Sequence, residues 1–138
     1  MAPNPAALAL IDPAALRFGR VELGRFEIGA PRDKVLLGGV WKAGALKLGA
    51  TATRYGKFTV RNANPTLDQD FDAKWLLDLS ASYAVDGWEF TLGGDNVLDE
   101  YPDELIFATS TSGQLPWPTQ SPFGFNGAYV YGRVAYTW

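Results

Sequence analysis

The sequence predicts an all-β fold, an antiparallel meander of about five strands. Three observations carry this. From Lys34 onward, apolar and polar residues alternate in runs of strand length. Two of those runs meet at Asp86-Gly87, a pair whose readiness to adopt positive φ marks a two-residue hairpin. The chain also holds 15 Gly and 9 Pro, the punctuation that a many-turned β protein needs.

The elements follow in order. Residues 1–33 read as a loop or short-helix segment preceding the strands. Within it, Asp12 and Pro13 suit the N-cap and first position of a short helix. The stretch RVELGRFEIGAPRD is ambiguous between strand and loop, and Pro31 ends whatever precedes it. Residues 34–138 carry the strands, expected at about 34–41, 46–58, 74–84, 88–97 and 124–138. The turns at 42–45 and 84–87 are short. The polar connection at 60–73 and the Pro- and aromatic-rich one at 97–122 are long. Transmembrane barrels show this asymmetry, with short turns on one side and long loops on the other.

Composition removes several chemistries. With no Cys there are no disulfides or thiolate nucleophiles, and with no His the commonest general base is missing. A net charge of −3 gives no basic face for nucleic acid. No run of about 18 apolar residues offers a spanning helix, which leaves barrel strands untouched as a possibility. The first residues lack a positively charged start and a long apolar core. Any export signal is therefore expected upstream of Met1.

Charges test the alternation hardest, because Lys or Arg facing lipid costs roughly 2–4 kcal/mol at mid-bilayer. One parity of the third run reads Trp75, Leu77, Leu79, Ala81 and Tyr83; the other reads Lys74, Leu76, Asp78, Ser80 and Ser82. Lys47, Asp78, Glu89, Asp95 and Arg133 all fall on polar parities, and Arg54 alone breaks the pattern. Trp41, Tyr83, Trp88, Tyr136 and Trp138 sit beside short turns or the terminus, as in an interfacial girdle. Trp75, Phe123 and Phe125 would supply the opposite girdle. A soluble β-sandwich also alternates, so a small soluble β-barrel or β-sandwich ligand-binding module is the competing reading.

Two segments carry a family resemblance. DNVLDEYPDE at 95–104, with Asp95, Asn96, Asp99, Tyr101 and Pro102, resembles the segment that closes the penultimate strand of TonB-dependent outer-membrane receptors. SPFGFNGAYVYGRVAYTW at 121–138, opening on Ser121, Pro122, Phe123 and Gly124, resembles the ending of the same proteins. PRDK at 31–34 and ATRYGK at 52–57 are similar to that family's strand openings and ends.

The resemblance implies an open fragment of a transmembrane β-barrel of about 22 strands. It also implies residence in the bacterial outer membrane and a part in active uptake of a siderophore, cobalamin or similar nutrient. Val130, Val134, Tyr136 and Trp138 would form the signal read by the barrel-assembly machinery, although the family ends in Phe and Gly132 interrupts the apolar parity. The implied partners are outer-membrane lipid, that machinery, the missing N-terminal plug and barrel strands, and through them the TonB energy-coupling system. Five strands cannot close, and an open edge in hydrocarbon leaves backbone groups unpaired. The expectation is therefore the tail of a longer receptor or a truncated product, not a transporter alone.

Asp78, Glu89, Asp95, Tyr129, Tyr131 and Arg133 are the candidate lumen-facing residues; their plainer role is to fill interior space and pair across strands. The acidic cluster Asp95, Asp99, Glu100, Asp103, Glu104 invites an acid pair or a cation site, and the alternate Asp68, Asp70, Asp72 invite the cation site alone. Solvated loops are the default reading of both. No catalytic residue, metal ligand or cofactor is expected, and no enzyme activity.

Overall fold

The computed structural model describes residues 19–110 and 113–138. The helix expected after Asp12-Pro13 lies outside the described residues. The first described element is a helix, α1 (Arg20–Glu27), where the sequence left strand and loop open. Then come β1 (Lys34–Ala43), β2 (Leu46–Tyr55), β3 (Phe58–Val60), a 3-10 turn (Pro65–Leu67), β4 (Gln69–Phe71), β5 (Lys74–Val85), β6 (Trp88–Asp95) and β7 (Tyr129–Tyr136).

Five strands form one antiparallel sheet in the order β1-β2-β5-β6-β7, and β3 pairs β4 in a separate two-stranded hairpin. Each strand of the large sheet pairs with its neighbour in the chain, apart from the β3–β4 excursion. Among the described residues the sheet does not close, and β1 and β7 are its two edges. Gly44 opens the β1–β2 turn with φ +58°. Asp86 and Gly87 both have positive φ, as a type I′ turn requires.

Three expected boundaries are corrected. The second run stops at Tyr55, and Phe58–Val60 leaves the large sheet to pair with Gln69–Phe71. The connection expected at 60–73 is therefore folded, around a 3-10 turn that Asn64 caps through its side chain (Thr66 N to Asn64 Oδ1, 3.1 Å) and Pro65 starts. The penultimate strand ends at Asp95, because Asn96 has φ +50° and turns the chain out of the ladder. The final strand begins at Tyr129 rather than 124, since Gly124 and Gly127 both take positive φ.

Two aromatic side chains are buried among the described residues, Phe58 and Phe71, stacked face to face at 4.8 Å. They are directly opposed across β3–β4. Helix α1 packs on this hairpin. Gly24 is required there, because a Cβ would lie 2.7 Å from the Arg61 Cβ. Arg20 forks onto Asp68 (Nη1–Oδ1 2.7 Å), and Arg61 reaches Glu27 at 3.0 Å. The Thr59 N–H donates to the Ile28 carbonyl at 2.9 Å. A small platform thus stands at the long-loop end of a sheet that has no covering layer among the described residues.

Candidate functional site

Residues directly paired across an antiparallel ladder share a face, so the register assigns every side chain in the sheet. One face collects Val35, Leu37, Gly39, Trp41; Leu46, Leu48, Ala50, Ala52; Trp75, Leu77, Leu79, Ala81, Tyr83; Trp88, Phe90, Leu92; and Val130, Val134, Tyr136. This face is continuous over all five strands and largely open, with Leu92 64% and Val130 68% exposed. Gly39, Ala50 and Gly94 lie in one cross-strand row, and a shallow apolar depression of about 770 Å³ crosses the sheet there.

Aromatic rings gather toward the short-turn end of this face. Trp88 packs on Tyr136 at 4.7 Å and on Phe90 at 6.3 Å, and Tyr136 lies 6.4 Å from Trp138. Arg54, the one charge on the apolar parity, stands opposite Val35 and Trp75 at the other end and is neutralised by an ion pair with Asp33.

The opposite face holds all six candidate lumen-facing residues. Asp95 stands opposite Tyr129, and Gly93 opposite Tyr131. Arg133 bonds Glu89 at 3.2 Å, diagonally across β6–β7. Ser82 and Thr91, paired directly, share a 2.8 Å hydroxyl bond. The Tyr131 ring lies over Gly93, where any Cβ would collide with it, and stacks on Tyr129 at 6.2 Å. Asp78 accepts the Asn96 N–H at 2.8 Å, which fixes the point where β6 leaves the sheet.

The motif residues after β6 form a clasp. Asn96, 7% exposed, bonds Glu100 twice: its amide donates to the Glu100 carbonyl at 2.8 Å and accepts the Glu100 N–H at 3.1 Å. Asp99 accepts the Ala128 N–H at 2.8 Å, which ties this segment to the start of β7. Tyr101 stacks on Trp117 at 5.2 Å, and Trp117 on Phe125 at 6.0 Å. Gly127, with φ +67°, passes under Tyr101 and Asp99 so closely that no side chain fits. Pro102 is buried, and the Ser121 hydroxyl donates to the Gly124 carbonyl at 2.8 Å.

The second girdle is therefore corrected in part. Trp75 does face the apolar side at the long-loop end, but Phe125 is stacked within the loop cluster. Phe123 packs 5.4 Å from Tyr55, which lies on the polar parity. Gly127 and Trp117 were missed as site residues, whereas Tyr101 was singled out but not its stacking on Trp117. Positive φ is invisible in a sequence, and the three rings stand far apart along the chain.

The carboxylates of the two acidic stretches disperse onto separate partners. Asp68 takes Arg20 and the Asn62 N–H, and these hold its carboxyl down at about 2. Asp70 accepts the Thr59 hydroxyl at 2.6 Å. Asp103 binds Lys74 at 2.7 Å and the Asp72 N–H; although burial pushes it up, these bonds leave it below the usual carboxylate value. The charge of Asp99, together with burial, raises the Tyr101 phenol. Among the described residues no three side chains gather as metal ligands. Gln69 joins the two long connections, donating to the Glu104 carbonyl and accepting the Ile106 N–H at 3.0 Å. The site is thus a two-faced sheet with its long loops locked together at one end. No protein-family model, curated protein or solved structure matches this chain.

Proposed function

We propose that this chain is a wall segment of an outer-membrane β-barrel. In this reading it is the C-terminal part of a TonB-dependent receptor that takes up a siderophore, cobalamin or similar nutrient. One observation carries the reading: an apolar face runs over five strands with no layer upon it among the described residues, while the charges of those strands lie on the other face or, for Arg54, are paired at its rim. Water is a poor solvent for such a face, since burying apolar area is worth about 25 cal/mol per Å². Lipid satisfies it without a second protein layer. The aromatics at the short-turn end suit the headgroup region, whose mixed polarity favours Trp and Tyr.

The polar face would line the lumen, with Arg133 and Glu89 neutralising one another there. The clasp of Asn96, Asp99 and Gly127 would hold the outer loops over the last two strands. The chain contributes wall and rim to transport rather than performing it alone, because β1 and β7 remain open edges.

Detergent dependence tests the proposal. Expressed without detergent, the chain should aggregate or pellet with membranes, and it should become monodisperse in lauryldimethylamine oxide. A sharp soluble monomer peak on gel filtration without detergent would instead favour the small soluble binding module.

A further inference from the structure

Charge is distributed unevenly across the sheet. Residues 32–57, the first hairpin and its flanks, hold six Lys or Arg and one Asp, whereas residues 58–138 hold three Lys or Arg and eleven Asp or Glu. On the polar face β1 presents Lys34 and Lys42, and Lys42 stands directly opposite Lys47 of β2. Among the described residues none of these three lysines has an ion-pair partner, whereas Arg133 on the far edge is already shared with Glu89. Like charges directly opposed across a ladder destabilise it, and a carboxylate strand alongside would relieve that.

Topology narrows the partner further. Five antiparallel neighbours leave β1 and β7 running in the same direction. Copies joined edge to edge, with all long loops on one side of a membrane, would have to meet as parallel strands, the less stable pairing. Such a seam would also set Lys34 and Lys42 beside Arg133 of the next copy. Copies related by a two-fold axis would pair antiparallel but send their loop platforms to opposite sides.

We propose that the open edge of β1 receives an antiparallel strand from a different polypeptide segment, and that this strand carries carboxylates on the face shared with Lys34, Lys42 and Lys47. The inference rests on the barrel-wall reading and adds the chemistry of the neighbour. Carboxylates there would pair Lys34 and Lys42 across the new strand and offset the Lys42–Lys47 repulsion, as Glu89 already does for Arg133.

Two fluorescent ten-residue peptides test it, with Val and Leu on one parity and Glu or Lys on the other. They are titrated against the full chain in lauryldimethylamine oxide and followed by anisotropy. The Glu peptide should bind about tenfold tighter than the Lys peptide, the sum of two modest cross-strand pairs, to Lys34 and Lys42, and of the repulsion that the Lys peptide meets there. The preference should shrink in high salt, and the variant carrying Lys42→Glu and Lys47→Glu should reverse it while keeping its circular dichroism.

Equal binding, or preference for the Lys peptide, overturns the proposal. So does a chain dimer, seen by light scattering as twice the protein mass and dissolved by either peptide, since that would place a second copy at the edge. A chain that needs detergent yet binds both peptides alike loses this inference and keeps the barrel-wall reading. A detergent-free soluble monomer loses both.

Discussion

In the large sheet the big apolar side chains of one face point outward; in the β3–β4 hairpin at its long-loop end, Phe58 and Phe71 are packed away. Leu92 and Val130 are more than half exposed, whereas Phe71 in the β3–β4 hairpin is 1% exposed and stacked on Phe58. The platform follows the ordinary rule of a small protein in water, with a covered apolar centre and ion pairs around it. The sheet inverts that rule over one whole face, and on the other only Leu36 and Val40 of β1 stand exposed to a similar extent among the described large aliphatic residues. On the barrel-wall reading proposed above, one chain carries surfaces matched to two solvents. The boundary between them runs where Arg54 meets Asp33 and Asn96 leaves β6.

The contrast is most strongly tested by removing the platform's centre. Phe71→Ala should cost the platform about 3–5 kcal/mol, as deletion of a buried aromatic does. Hydrogen exchange should then accelerate at residues 58–71 and leave residues 79–94 protected. Equal loss of protection in both would mean that the regions fold as one unit.

The next effect belongs to the sheet. In dilauroylphosphatidylcholine vesicles, Leu79→Arg at mid-strand on the apolar face should lower stability to urea by about 2–4 kcal/mol. Thr51→Arg, on the polar face directly opposite Asp78, should cost less than about 1 kcal/mol because the new cation meets a carboxylate. Similar losses for both would erase the distinction between faces.

Smaller again is the clasp. Asn96→Ala removes both bonds to Glu100 and leaves a residue other than Asn or Gly at positive φ, a cost of about 1–3 kcal/mol. Faster proteolysis confined to residues 97–128 would report it; unchanged cleavage would assign the clasp no stabilising role.

The smallest effect is acid sensitivity. Asp68 titrates lower when folded than when unfolded, so its contribution is present above the ordinary aspartate value of 3.8 and is lost as pH falls through about 2. Proteolysis by pepsin between 61 and 69 should rise over that window and rise less in Asp68→Asn, whose ion pair is already gone. An identical acid response in that variant would remove Asp68 from the account.

The sheet was legible because alternation has a period of two and survives in any window of strand length. Asp86-Gly87 announced its turn through chemistry confined to two residues. The platform was not legible, for the opposite reason. Strands as short as Phe58–Val60 and Gln69–Phe71 hold too little alternation to register, and their pairing depends on contacts nine to thirteen residues apart. Helix α1 lacks a capping side chain at Gly19 and carries Gly24 inside it, so little local signal favours it. Arg61, Asp68 and Ile28 supply what the local sequence does not. The motif residues Asn96 and Asp99 were visible as a resemblance. Their physical work, closing backbone groups of Glu100 and Ala128, required coordinates.

Tryptophan distribution offers the most direct test of the two-solvent account. Trp41, Trp75 and Trp88 lie on the apolar face, while Trp117 is stacked between Tyr101 and Phe125 in the loop cluster. Two variants, one keeping only Trp88 and the other only Trp117, with the remaining tryptophans changed to Phe, can be reconstituted in vesicles whose acyl chains carry bromine. Bromine quenches only fluorophores in contact with it. Strong quenching of Trp88 together with unquenched Trp117 is the predicted result. Equal quenching of the two, or none at Trp88, would contradict a sheet that presents its apolar face to lipid.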